Sequence, residues 1–130
     1  MSADVKDTTI GGAYKRAEAH GSVPPFMLPK SGLDARNRLN LNTPFSFVNT
    51  ADIIGGSSGS PVVNRQGELV GIIFDGNIQS LVLDYIYTED EARAVAVHSA
   101  GIMEALRNVY GADRLVKELT GGAGAAAGRR

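Results

Sequence analysis

The residues best suited to chemistry lie in one short stretch, "GGSSGSP", over 55–61. A serine hydroxyl attacks a carbonyl only where the backbone leaves room for it, N–H groups face the developing oxyanion and a base takes the proton. Ser58 sits between Gly56 and Gly59, just ahead of Ser60 and Pro61. Gly56 can turn its N–H inward beside that of Ser58, and Gly59 leaves space for an incoming carbonyl. Two other readings compete. Glycine-serine clusters commonly make solvated turns between strands, and glycines can also expose N–H groups to a phosphate. For the phosphate cradle, however, G-x-x-x-x-G-K-[ST] is absent, and Pro61 opens a strand rather than a helix. The elbow G-x-S-x-G also fails, because the residue two past Ser58 is Ser60. A base for Ser58 would have to be His20 or His98, the two histidines present. His20 stands at a predicted helix end beside Gly21, and His98 at a predicted strand-to-helix junction. His20 is expected to be a surface or capping residue, and His98 a helix-start or packing residue. With no cysteine, disulfides, thiolate metal sites and cysteine nucleophiles are excluded.

Holding Ser58 falls to a β-rich centre. "FSFVNT" (45–50) begins with the alternation of a half-buried strand. "PVVN" (61–64) and "ELVGIIF" (68–74) are β-branched runs joined by Arg65-Gln66-Gly67, which predicts a hairpin with positive φ at Gly67. "LVLDYIY" (81–87) and "RAVAV" (93–97) predict two further strands. Ahead of this centre, Ile10 to His20 predicts a short helix stopped by Gly21. Pro24, Pro25 and Pro29 then rule out helix or central strand in "GSVPPFMLPKSG", leaving Phe26, Met27 and Leu28 extended over an apolar surface. "LDARNRLNLNTP" allows one helical turn before Pro44. Behind the centre, Ser99 is the expected N-cap of a helix with Ile102, Leu106 and Val109 on one face and Gly111 as its stop. "ADRLVKEL" adds two turns. The expected units are a lead-in over 1–44, the β-rich part over 45–97, the helical end over 98–119 and a disordered Gly/Ala tail over 120–130.

A length of 130 residues fits one domain, and 43% hydrophobic with 21% charged residues is a globular balance. The net charge of −1, without a basic stripe, gives no draw toward nucleic acid or anionic lipid. The apolar runs are too short for a membrane span. The first residues, "MSADVKDTTIGG", have neither the basic nor the apolar region of a secretory signal.

The motif "GSSGSPVV" resembles the chymotrypsin-type nucleophile loop, Gly-x-Ser-Gly-[Gly/Ser]-Pro followed by an apolar strand. "FDGN" (Phe74, Asp75, Gly76, Asn77) stands where such folds wall their specificity pocket. Together with "LNTPFSFVNTADII" and "ARAVAVHSAGIMEALRNVYGADRLVKEL", these segments resemble the bacterial dipeptidyl-peptidase 7/11 exopeptidases, serine peptidase family 46, from about Ile10 to Leu119. The resemblance implies a fold mainly β with a C-terminal helix, the C-terminal part of a chymotrypsin-like double β-barrel. It implies release of dipeptides from free N-termini in the periplasm or at the cell surface, with no cofactor and frequently as a homodimer.

Carried onto this sequence, the resemblance makes Ser58 the nucleophile and gives Gly56 and Ser58 the oxyanion N–H groups. Asp75 would bind the substrate α-ammonium group, with Phe74 and Asn77 flanking the substrate. Gly76 falls where one branch of the family carries arginine and prefers acidic residues, so glycine implies an apolar second residue. Three positions depart from the usual pattern: Ser57 replaces asparagine, His98 replaces aspartate and Ala100 replaces arginine. The family's catalytic histidine and aspartate lie on an N-terminal barrel that matches nothing in these residues. The expectation is therefore a nucleophile half-site, inactive alone and completed by the missing barrel, with an apolar face where that barrel would meet it. The alternative is a non-catalytic remnant that binds peptide N-termini.

Overall fold

The computed structural model describes residues 8–86 and 90–121. Four antiparallel strands form its centre: β1 (Ser46–Asn49), β2 (Pro61–Val63), β3 (Leu69–Gly76) and β4 (Ala94–His98), in spatial order β1-β4-β3-β2. Helices α1 (Ile10–Ala19) and α2 (Lys30–Ala35) precede the sheet; α3 (Ser99–Asn108) and α4 (Asp113–Leu119) follow it. β2 and β3 make the predicted hairpin, and Gly67 in its turn has φ +80°.

The sheet core is small. Ala94 and Ala96 on β4 are fully buried and pack with Ile73 of β3 under Phe47, Ile53 and Val62. Alanines on the central strand let Phe47 of β1, directly opposite Ala96, lie close over the sheet. β3 carries a bulge: Ile73 pairs with Ala96 and Asp75 with Val95, leaving Phe74 as a surplus residue without a partner on β4.

The lead-in closes one sheet edge. Thr8 N–H donates to the Ser46 carbonyl (2.9 Å), and Phe45 N–H donates to that of Thr8 (2.8 Å). Thr9 then caps α1 by accepting from Gly12 N–H (3.2 Å). The Pro-rich stretch contains no helix up to Pro29, but α2 starts at Lys30, earlier than expected, with Pro29 in the extended N-cap conformation that proline favours. Within that stretch Phe26 stacks on His20 at the end of α1 (3.9 Å between ring centroids), while Met27 stays exposed.

Two further expectations are corrected. A strand is expected over 81–87, but Ile78–Asp84 is a 3-10 helix, and residue 87 lies outside the described residues. Asn77 overrides the β-propensity of these residues: its side-chain oxygen accepts from Ser80 N–H (3.1 Å), and the Ser80 hydroxyl donates to the Asn77 carbonyl (2.6 Å). The N-cap of α3 is His98 rather than Ser99, because its Nδ1 accepts from Ala100 N–H (3.0 Å) and Ser99 becomes the first helical residue. Histidine is an uncommon cap, so the usual preferences point one residue too late. Residues 122–130 of the expected disordered tail lie outside the described residues, as do 1–7 of the lead-in.

Candidate active site

The loop over 53–60 is shaped by its own backbone and pinned to β3. Ser57 N–H donates to the Ile54 carbonyl (3.0 Å), and Ile54 N–H donates back to the Ser57 hydroxyl (3.2 Å). Ser60 N–H then closes on the Ser57 carbonyl (3.0 Å). Gly56 and Gly59 have φ +100° and +92°, conformations that a side chain would strain. Two bonds fasten the loop to the sheet: Gly59 N–H to the Ile73 carbonyl (2.8 Å) and Ile73 N–H to the Ser60 carbonyl (3.0 Å).

Ser58 is exposed at the tip of this arrangement. Its hydroxyl donates to the carbonyl of Phe74, the bulge residue, at 3.4 Å. Among the described residues the N–H groups of Gly56 and Ser58 donate to no protein acceptor, whereas those of Ser57, Gly59 and Ser60 are all engaged. Two N–H groups on the loop that carries Ser58 are thus left without a protein acceptor.

A cleft of about 490 Å³ opens beside Ser58. One wall is the loop, with Ile53, Ile54 and Gly56; the other is the end of β3, with Phe74, Asp75 and Gly76; Ile78, Ser80 and Leu81 close the side. Asp75 is exposed, and one of its carboxylate oxygens accepts from Gly76 N–H (2.8 Å). It forms no ion pair among the described residues, so a cation can approach the other oxygen. Asn77 is otherwise employed. Its side-chain oxygen accepts from the N–H groups of Ser80 and Arg93, and its NH₂ donates to the Glu91 carbonyl (2.7 Å). This amide ties the cleft's side to the segment entering β4.

Neither histidine approaches Ser58. His20 belongs to the α1 layer, stacked on Phe26. His98 lies edge-on to Phe47 (5.5 Å) and pairs with Gly71, three strand positions from Phe74. At about 3.3 Å per strand residue, that separation is roughly 10 Å, well beyond hydrogen-bond reach. Among the described residues there is also no cluster of three or more His, Asp or Glu side chains that could hold a metal ion.

Sequence reasoning missed Ile53 and Ser80, and it noted Ser57 only as a departure from the family pattern. Ser57 shapes the loop through its hydroxyl, a role that its polarity alone does not signal. Ser80 lies just before the segment read as a strand, and its return toward Gly76 has no sequence signature.

The family model described as Peptidase S46 matches residues 3–121. The chain belongs to this family. Dipeptidyl-peptidase 7 of Phocaeicola vulgatus is 40% identical over 81 residues, which cover 62% of this chain and 11% of the relative. The Asp/Glu-specific dipeptidyl-peptidase of Shewanella putrefaciens is 39% identical over 89 residues, covering 68% of this chain and 12% of the relative. The chain thus spans about a tenth of the length of the curated relatives it matches. In structure it is similar to Porphyromonas endodontalis DPP11, with a TM-score of 0.75 at 22% identity over 92% of this chain and 19% of that one. The DPP11 structure in complex with the dipeptide Arg-Asp gives 0.73 at 22% identity, covering 89% and 18%. The antiparallel sheet with its C-terminal helices therefore matches part of the DPP11 fold.

Proposed function

We propose that this S46 chain carries the nucleophile half of a serine dipeptidyl-peptidase site in a chymotrypsin-like barrel. One observation carries the reading. Ser58, the unspent N–H groups beside it, Asp75 and Gly76 share one cleft. In the proposed reaction the Asp75 carboxylate pairs with the α-ammonium group of a peptide, a charge-assisted contact that an acylated N-terminus cannot make. The second side chain enters the apolar space beside Gly76, between Ile53, Ile54 and Leu81. Ser58 Oγ bonds to the carbonyl carbon of that second residue, and the carbonyl oxygen takes up negative charge toward Gly56 and Ser58 N–H. The C–N bond then breaks, the serine proton leaves on the amine through a base, and water releases the dipeptide.

That base comes from outside the described residues, with a histidine and its orienting carboxylate on a companion barrel. Without it, turnover falls on the order of a million-fold. The periplasm or cell surface is the proposed setting. A serine-reactive fluorophosphonate tests this reading. The chain alone is expected to gain no mass at Ser58, and a complete protein bearing a histidine barrel is expected to gain one label there. Labelling of the chain alone would contradict the absence of a base, and no labelling of the complete protein would end the nucleophile assignment.

A second reading is a module that only binds peptide N-termini, favoured by the distance of both histidines from Ser58. It fails if the coding DNA upstream holds an in-frame barrel with a histidine.

A further inference from the structure

Position 76 leaves no room for a side chain within the cleft. A Cβ built on Gly76 would overlap the Ser80 hydroxyl and stand 3.1 Å from both Ser80 Cβ and Ile53 Cδ1. Ser80 cannot easily withdraw, because it is buried and its hydroxyl is held by the Asn77 carbonyl (2.6 Å). Its N–H is fixed in turn by the side-chain oxygen of Asn77 (3.1 Å), and Asn77 is anchored to Glu91 and Arg93. A locked hydroxyl therefore occupies the volume that a side chain at 76 would need, on a wall whose other residues are chiefly apolar.

We infer that Ser80 is a second specificity-determining residue of this cleft, setting with Ile53 the width available to the substrate's second side chain. The inference rests on the peptidase reading of the site. It extends that reading: glycine at 76 is imposed by Ser80 as well as serving the substrate. The same overlap bars arginine at 76 while Ser80 keeps its hydroxyl.

Binding of free dipeptides tests the inference without needing the missing base. Dipeptides with a common first residue and Ala, Met or Phe second are titrated calorimetrically into the chain and into Ser80→Thr and Ser80→Ala. Threonine keeps the hydroxyl and adds a methyl group, and one methylene in such a pocket is worth roughly ten-fold or more. Ser80→Thr is expected to weaken the Met and Phe dipeptides by about that factor while leaving the Ala dipeptide nearly unchanged. Ser80→Ala is expected to shift preference toward the larger residues. Equal effects on all three dipeptides, or none, would overturn the inference and leave the peptidase reading standing. If the unaltered chain binds none of them, both readings fall.

Thermal melting supplies an independent arm. Gly76→Ala is expected to lower the melting temperature by several degrees, and adding Ser80→Ala is expected to restore most of that loss. Strict additivity of the two changes would refute the overlap.

Discussion

At the residue scale, the cleft assigns different work to groups of similar chemistry. Ser57 and Ser58 are adjacent hydroxyls, yet one is spent on the loop and the other faces the cleft. In a complete enzyme Ser58→Ala is expected to abolish turnover while dipeptide binding persists, measured by rate assay and calorimetry on the same sample. Ser57→Ala should leave Ile54 N–H without its acceptor and loosen the loop, costing about 1 kcal/mol in stability. Asp75→Asn is expected to weaken peptides with a free N-terminus at least ten-fold, with little change for their acetylated forms, as judged by Kd. This contrast separates a charge-selective carboxylate from one that merely borders the cleft. The loop motif made Ser58, Gly56 and Gly59 legible in the sequence, because an exposed serine between positive-φ positions has few substitutes for glycine. The contacts of Ser80 and Ile53 with Gly76 were illegible, since the first needs the tight turn after Asn77 and the second the packing of a separate loop on β3.

At the scale of elements, the hairpin of β2 and β3 and strand β4 followed from β-branched runs and a Gly-containing turn. The segment after Asn77 did not. There, side-chain bonds to the backbone outweighed an apolar pattern that suits a strand equally well. Asn77→Ala removes an acceptor for two backbone N–H groups, and a loss of about 2 kcal/mol is expected in denaturant unfolding. The α3 cap gives a sharper contrast. His98→Ala should cost about 1 kcal/mol, whereas His98→Asp keeps an oxygen acceptor for Ala100 N–H and should restore it. The aspartate that family resemblance associates with this position fits the same capping role.

At the scale of the whole molecule, exposed apolar side chains lie on several faces, and one group of them rims the cleft. Ile54, Ile78 and Leu81 are each more than 60% exposed at its rim, beside half-exposed Phe74. A face of this kind suits apposition of another protein surface that completes the site. The Pro-rich stretch, expected to lie over an apolar surface, stacks Phe26 on His20 at the end of α1 and leaves Met27 exposed. Composition could announce a globular chain, but it could not say which surface stays bare. That depends on where the loop and the 3-10 helix converge.

The bulge at Phe74 has a broader consequence. On its β4 side the ladder runs from Ile73 to Asp75 as though Phe74 were absent, yet the Phe74 carbonyl is what the Ser58 hydroxyl meets. Removing that single residue would leave a more regular strand, with Asp75 and Gly76 still opposite Val95 and Ala94. Scaffold and proposed site thus draw on different members of one strand, so a single deletion at Phe74 would remove the carbonyl that Ser58 meets and keep the ladder.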